Sequence, residues 1–387
     1  MRRAFVVVLD ACGVGALPDA ADYGDEGTNT LAHLAERVGG LRLPTLARLG
    51  LGSILPLAGV EPSAAPVVHG RLHALGAGKD STTGHRELMG LVASSRPPTY
   101  PDGFPEEVLE IVRAASGRGI LLNGPDNGID AIDNFGERQL QGGSLIVYTS
   151  QDSVLQIAAH VDLVAPEQLY SICEQVRREL PEEHAVGRVI ARPFAGPVGD
   201  FKRTEGRRDY SLVPPSPSYL EELGQRGVQV HTVGKVAQLF AGVGIDVEHA
   251  GATNATALAR TTELIQDLPE GFVFTNLIET DQVYGHRHDF AGFERALEEI
   301  DACVAGWLEM LTDDDLLVLT ADHGCDMTSP GTDHSREHAP LLARFRGHRS
   351  RHHDGPLADV GASVLDWLAR ARSDRLPGES FIVEAGG

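Results

Sequence analysis

Ala4-Phe5-Val6-Val7-Val8-Leu9-Asp10 opens the chain with a short β-branched apolar run that stops at a carboxylate. The pattern returns twice: Val273 to Ile278 is followed by Asp281, and Leu317-Val318-Leu319-Thr320 leads into Asp322-His323. A fourth, less regular run spans Val228 to Val233. Turn signals and then a helical pattern follow each run, and this alternation predicts an α/β sheet. Apolar residues at i, i+3 and i+4 spacing mark helices over Thr30 to Val38, Asn254 to Leu268, Phe290 to Leu311 and Val360 to Ala371, which would cover the sheet faces.

At 387 residues the chain exceeds what one hydrophobic core usually organises. Two proline-rich stretches, Pro97-Pro98 and Pro214-Pro215-Ser216-Pro217, bound a segment of about 120 residues, domain-sized in itself. That segment carries its own helices (Glu106 to Ala115, Pro166 to Leu180) and strands (Leu145 to Thr149, Arg188 to Ala191). The expected organisation is a core of residues 1–97 and 218–387 with residues 98–217 inserted as an α+β cap.

Thirty-three basic against 55 acidic side chains give a net charge of −22, a field that disfavours nucleic acid and anionic lipid as partners. The early apolar run ends at Asp10, too soon for a secretory h-region or a membrane span, so the expectation is a soluble cytoplasmic protein. Nothing points to a protein partner. Cys12, Cys173, Cys303 and Cys325 show no CxxC spacing and fit free thiols. Only Lys79, Lys202 and Lys235 stand against 30 arginines, so the retained lysines draw notice.

Carboxylates at strand C-termini occupy the place where open α/β sheets build their sites. An isolated Asp there ordinarily serves as a turn former. Here Asp10, Asp281 and Asp322 are joined by His286, in Asp281-x4-His286, by His323, and by His334 in Gly331-Thr332-Asp333-His334. Three carboxylates and three imidazoles without thiolates suit a pair of divalent ions such as Mn²⁺ or Zn²⁺. Gly78-Lys79-Asp80-Ser81-Thr82-Thr83-Gly84-His85 sets hydroxyls before a helical pattern, either as ordinary helix caps or as a phosphoryl acceptor activated by a metal.

The segments Val8-Leu9-Asp10, Gly78 to His85, Tyr148-Thr149-Ser150-Gln151-Asp152-Ser153-Val154-Leu155-Gln156-Ile157-Ala158-Ala159-His160, Asp281-x4-His286-Arg287, Thr320-Ala321-Asp322-His323-Gly324 and Pro330 to His334 resemble bacterial phosphopentomutases, in the alkaline phosphatase superfamily. The resemblance runs in the same order from the first strand to the last motif. It implies an alkaline-phosphatase-like α/β core with an inserted cap, interconverting ribose or deoxyribose 1-phosphate and 5-phosphate through a 1,5-bisphosphate, a sugar bisphosphate of that kind also serving as activator. A phosphatase, or a mutase for another phosphorylated sugar, is the rival on the same scaffold.

By position in the motifs, Asp281, His286 and His334 would hold one ion, and Asp10, Asp322 and His323 the other, with Mn²⁺ favoured. Ser81 would be the nucleophile, where the family usually has Thr. Asp152 would bind sugar hydroxyls, and Arg192, Arg207 and Lys235 the second phosphate. Arg86 stands where the family usually has Trp, and Cys12 and Cys325 replace polar neighbours of two metal motifs.

Overall fold

The structure, a computed structural model, describes residues 2–150, 153–348 and 350–382. The chain divides into two compact units: Met1–Ser95 with Pro214–Gly387, and Arg96–Val213. The proline-rich stretches of the sequence suggest divisions at 97/98 and 217/218.

The first unit is built on a nine-stranded sheet. Its strands run in the order Val247–His249, Val230–Val233, Gly271–Leu277, Arg3–Leu9, Asp315–Thr320, Ala339–Arg344, Val68–His73 and Arg351–His352, with Gly355–Pro356 also on Val68–His73. The first five are parallel, and Ala339–Arg344 joins antiparallel to both its neighbours. Central parallel strands are covered on both faces, which is why Val6, Val7 and Val8 are all fully buried and why the run is apolar at every position.

Alternate residues of one strand show the two layers. Phe274 faces Phe240, with ring centroids 6.3 Å apart, on the side of the helices Val236–Leu239 and Ser81–Leu88. Thr275 faces the other way and hydrogen-bonds Thr261 at 2.8 Å, in the helix Asn254–Asp267, against which Phe290–Met310 packs. The result is a mixed α/β fold with a central sheet flanked by helices. Sequence reading missed Val68–His73 and Ala339–Arg344, the antiparallel side of the sheet.

Parallel register decides where the chemistry lies. Val8 is level with Asn276 on one side and Thr320 on the other, so Asp10, Asp281 and Asp322 leave three adjacent strands at the same end.

The second unit has a six-stranded mixed sheet centred on Val154–His160 and Arg188–Ala195. Leu145, Val147, Leu155, Ile157, Val189 and Ala191 form one core with Val108, Val112, Leu169 and Ile172 of the helices Glu106–Ser116 and Pro166–Glu179. Ile146, Tyr148, Ala158 and Phe194 form another with Ala131 and Ile132 of the helix Asp130–Gly142. Among the described residues no helix is long and apolar enough to cross a membrane.

Candidate active site and metal centre

Ser81 is the first residue of the helix Ser81–Leu88. Asp80 caps that helix: its Oδ1 accepts the Thr82 and Thr83 N–H groups at 2.9 and 3.1 Å, and the Asp80 N–H donates to Thr83 Oγ1 at 3.3 Å. This reciprocal box satisfies the helix start. The Ser81 hydroxyl is therefore not spent on capping, and its Oγ lies 3.1 Å from His323 Nε2 and 3.4 Å from Asp10 Oδ1. Lys79 does not face the cluster as a loose charge. Its ammonium pairs with Asp25 at 3.0 Å and with Asp333, next to His334, at 3.2 Å, tying the serine loop to the His334 loop.

The six residues singled out as metal ligands come together. Ligand atoms of Asp281, His286 and His334 lie within 4.8 Å of one another, as do those of Asp10, Asp281 and His323. Asp281 thus belongs to both groups: His286 Nε2 is 3.4 Å from its Oδ2 and His334 Nε2 3.4 Å from its Oδ1. Asp322 Oδ2 stands 3.4 Å from His323 Nε2 and 3.0 Å from His85 Nδ1, while its Oδ1 accepts the Ala11 N–H at 3.2 Å. Ala11 reaches Asp322 from a left-handed backbone, φ 63°, uncommon for a residue with a Cβ and a mark of local strain at the site.

Whether these residues suit cations can be judged from their hydrogen bonding. His323 Nδ1 is 3.0 Å from the Gly324 carbonyl and His286 Nδ1 2.5 Å from the Thr332 carbonyl, so both rings carry their hydrogen on Nδ1 and turn Nε2 toward carboxylates. The Nε2 atoms stop 3.4 Å from Asp10 Oδ1 and Asp281 Oδ2, beyond a good N–H···O bond. Asp10 Oδ2 is buried with no hydrogen-bond partner among the described residues. Lone pairs and carboxylates face each other across gaps that a cation would fill.

The electrostatics agree. Burial first, then the Asp322 and Asp281 charges, lift the Asp10 carboxyl well above the usual carboxylate range. Burial would lift Asp281 too, but the His334 and His286 rings hold it well below that range. Burial opposes charge on His286, yet its contacts with Asp281 and Cys325 push it up to about 12. A pocket that draws a proton so strongly is one that a divalent ion would neutralise. The residues fit the metal pair.

Glu337 is a supporting group that sequence reading missed. Buried behind the site, it accepts from Gly15 N at 3.1 Å, Thr30 N at 2.9 Å, Thr30 Oγ1 at 2.8 Å and Ser335 Oγ at 2.7 Å. It thereby joins the loop after the first strand to the loop of His334. Its only local signal is an acid three residues after His334. Arg86, noted for replacing Trp, is buried and donates from Nε to the Leu239 carbonyl at 2.9 Å. Cys12 and Cys325 are buried, and all four cysteines are free.

Of the expected substrate residues, Asp152 lies outside the described residues. Lys235 hydrogen-bonds Gln282 Oε1 at 3.0 Å. In the second unit, Arg192 donates from Nε to Gln156 Oε1 at 3.0 Å. Burial, and then the neighbouring Arg207 and Arg203 charges, bring its guanidinium down to about 10. Arg207 is held bidentately by Asp209 at 2.6 and 2.7 Å. The Tyr148 hydroxyl, in the field of these arginines, is buried without a hydrogen-bond partner among the described residues.

Residues 2–371 match the Metalloenzyme superfamily. A phosphopentomutase of Caldanaerobacter subterraneus subsp. tengcongensis is 46% identical over 371 residues, 95% of this chain and 94% of that protein. One from Anaeromyxobacter dehalogenans is 47% identical over 387 residues, 99% of this chain and 98% of that one. Among solved structures, a Leishmania mexicana phosphoglycerate mutase, determined at low cobalt concentration, shares the fold with a TM-score of 0.52 at 12% identity, covering 99% of this chain and 98% of that chain. With groups of carboxylates and imidazoles that could hold metal ions and this likeness along nearly the whole chain, the protein belongs to the phosphopentomutase family of metal-dependent isomerases, within the Metalloenzyme superfamily.

Proposed function

We propose that the protein interconverts ribose 1-phosphate and ribose 5-phosphate, and their deoxyribose analogues, by passing a phosphoryl group through Ser81. The observation that carries this reading is the Ser81 hydroxyl, left out of the helix cap and set 3.1 Å from His323 and 3.4 Å from Asp10 at the mouth of the carboxylate–imidazole cluster.

In the proposed cycle phosphoserine 81 donates its phosphoryl group to the free hydroxyl of a pentose monophosphate. The P–O bond to Ser81 breaks as the bond to the sugar oxygen forms, giving a 1,5-bisphosphate. That intermediate turns and returns its other phosphate to Ser81, releasing the isomeric monophosphate. Asp281, His286 and His334, with Asp10, Asp322 and His323, would hold two divalent ions, proposed as Mn²⁺, which when bound supply positive charge for the transferring phosphate and the Ser81 oxygen. Asp80 and Thr83 hold the serine's helix start in place throughout.

The phosphate that is not being transferred needs cations from the protein itself, since the chain carries −22 overall. Arg192, Arg207 and Lys235 are proposed for it, and Asp152 for the sugar hydroxyls. Guanidinium forks bind phosphate bidentately. A sugar 1,5-bisphosphate would prime Ser81, and the setting would be the cytoplasm.

³¹P spectroscopy with Mn²⁺ should follow ribose 1-phosphate turning into ribose 5-phosphate without loss of organic phosphate. Release of inorganic phosphate as the main product would replace the mutase reading with a phosphatase.

A further inference from the structure

We propose that His85 is a positioning residue, which orients the Asp322 carboxylate for its metal and locks the Ser81 helix onto it; this rests on the reading of Asp322 as a metal ligand. His85 sits one helical turn after Ser81, and its ring is fully buried. Its Nδ1 lies 2.9 Å from the Ser81 carbonyl and 3.0 Å from Asp322 Oδ2. A carbonyl and a carboxylate are both acceptors, so Nδ1 must carry the hydrogen, which it donates to the Ser81 carbonyl while its N–H dipole lies close beside Asp322 Oδ2.

The approach depends on the neighbouring residue. A Cβ at Gly84 would run into the Asp322 carbonyl and stand 2.8 Å from Asp322 Cβ, so any side chain there would lift the helix away from the metal motif. Phe274 packs beside the His85 ring, with centroids 5.7 Å apart, and limits its rotation. Asp322 is then held on Oδ1 by the Ala11 N–H, while His85 Nδ1 stands 3.0 Å from Oδ2, which has no hydrogen-bond partner among the described residues.

The opposite nitrogen strengthens the case. His85 Nε2 is buried with no hydrogen-bond partner among the described residues. A ring retained for packing alone would be better served by an apolar side chain, since an orphaned buried polar atom costs stability. Nδ1 is therefore the reason for a histidine at this position.

The test uses His85→Ala and His85→Asn. The Asn amide can occupy the place of Nδ1 and offers two hydrogens, one for each acceptor. Mn²⁺ is titrated calorimetrically into metal-stripped protein without substrate, kcat and KM are measured with ribose 5-phosphate, and melting of the metal-free variants checks folding. His85→Ala should weaken one of the two Mn²⁺ sites about ten- to a hundredfold. It should lower kcat while leaving KM near wild type, and His85→Asn should restore most of both. Unchanged Mn²⁺ affinities in His85→Ala, or an equal loss in His85→Asn, would overturn the inference. Should His85→Ala fail to fold, His85→Asn decides: near-wild-type binding supports the role and a weakened site refutes it. Asp322→Ala separates the two levels. If it loses an ion and His85→Ala does not, only the role of His85 falls; if it keeps both ions, the ligand assignment of Asp322 falls as well.

Discussion

Ser81 Oγ and His323 Nε2 are 3.1 Å apart although 242 residues separate them in sequence. The helix that begins at Ser81 and the strand that ends at Thr320 are independent pieces of local structure, and the hydroxyl becomes significant only where they meet. Ser81→Thr should keep much of the mutase activity, because either hydroxyl can accept a phosphoryl group, whereas Ser81→Ala should abolish it. Intact-protein mass spectrometry after incubation with a sugar bisphosphate should find one phosphoryl group on Ser81. Its appearance on Thr82 or Thr83 would show that the wrong hydroxyl had been chosen.

Asp281 reaches both ligand groups, whereas His286 belongs to one. Elemental analysis of purified variants should therefore find both ions depleted in Asp281→Asn and one retained in His286→Gln. Chelation of the wild type should abolish turnover, and readdition of Mn²⁺ should restore it. Equal metal content in the two variants would contradict the shared role.

Arg192 is a cleaner probe of phosphate binding than Arg207, because removing Arg207 would take from the Asp209 carboxylate its bidentate partner and leave it the longer contact with Arg188 at 3.5 Å. Losing one charge-assisted contact costs about 1.5–3 kcal/mol, roughly ten- to a hundredfold in kcat/KM. Arg192→Met should show that loss with pentose phosphates and spare the slow hydrolysis of a small aryl phosphate, which has no second phosphate to bind. A parallel fall in both activities would remove Arg192 from substrate recognition.

Acid sensitivity should arise away from the metal centre as well. His231 and His249 face each other with Nδ1 and Nε2 3.0 Å apart. Burial, and then the His249 charge, lower the His231 pKa below 6.5; burial, and then Arg260, lower that of His249. The unfolded chain then binds more protons than the folded one below about pH 6.5. The pair's contribution is thus intact above that pH and lost as the pH falls through the folded values. In chelator, urea midpoints of His231→Gln should decline less than wild type between pH 7.5 and 5.5; parallel curves would argue against the pair.

Asp301, buried on the helix Phe290–Met310, accepts the Thr45 and Leu46 N–H groups at 3.1 and 2.7 Å, where the short helix Pro44–Leu49 begins. Asp301→Ala leaves both amides without that acceptor, at about 1–3 kcal/mol for each one left unsatisfied. Equilibrium denaturation should show the loss with the metal content unchanged.

The α/β class and most core elements were legible in the amino-acid sequence because their signals are local. Three apolar runs ending in carboxylates, and helices with apolar residues at helical spacing, need only neighbouring residues to be read. Val68-His69-Gly70-Arg71-Leu72-His73 carries no such run, and it is a strand because Ala339–Arg344 pairs with it. The order of residues likewise singled out three Asp and three His, but not that Asp281 would reach both ligand groups, that Lys79 would be held between Asp25 and Asp333, or that Glu337 would fasten two loops behind the site. Those facts come from strand order and register, which bring the ends of Arg3–Leu9, Gly271–Leu277 and Asp315–Thr320 side by side. Pairing between segments hundreds of residues apart is set by the packing of whole layers, and no short stretch of sequence encodes it.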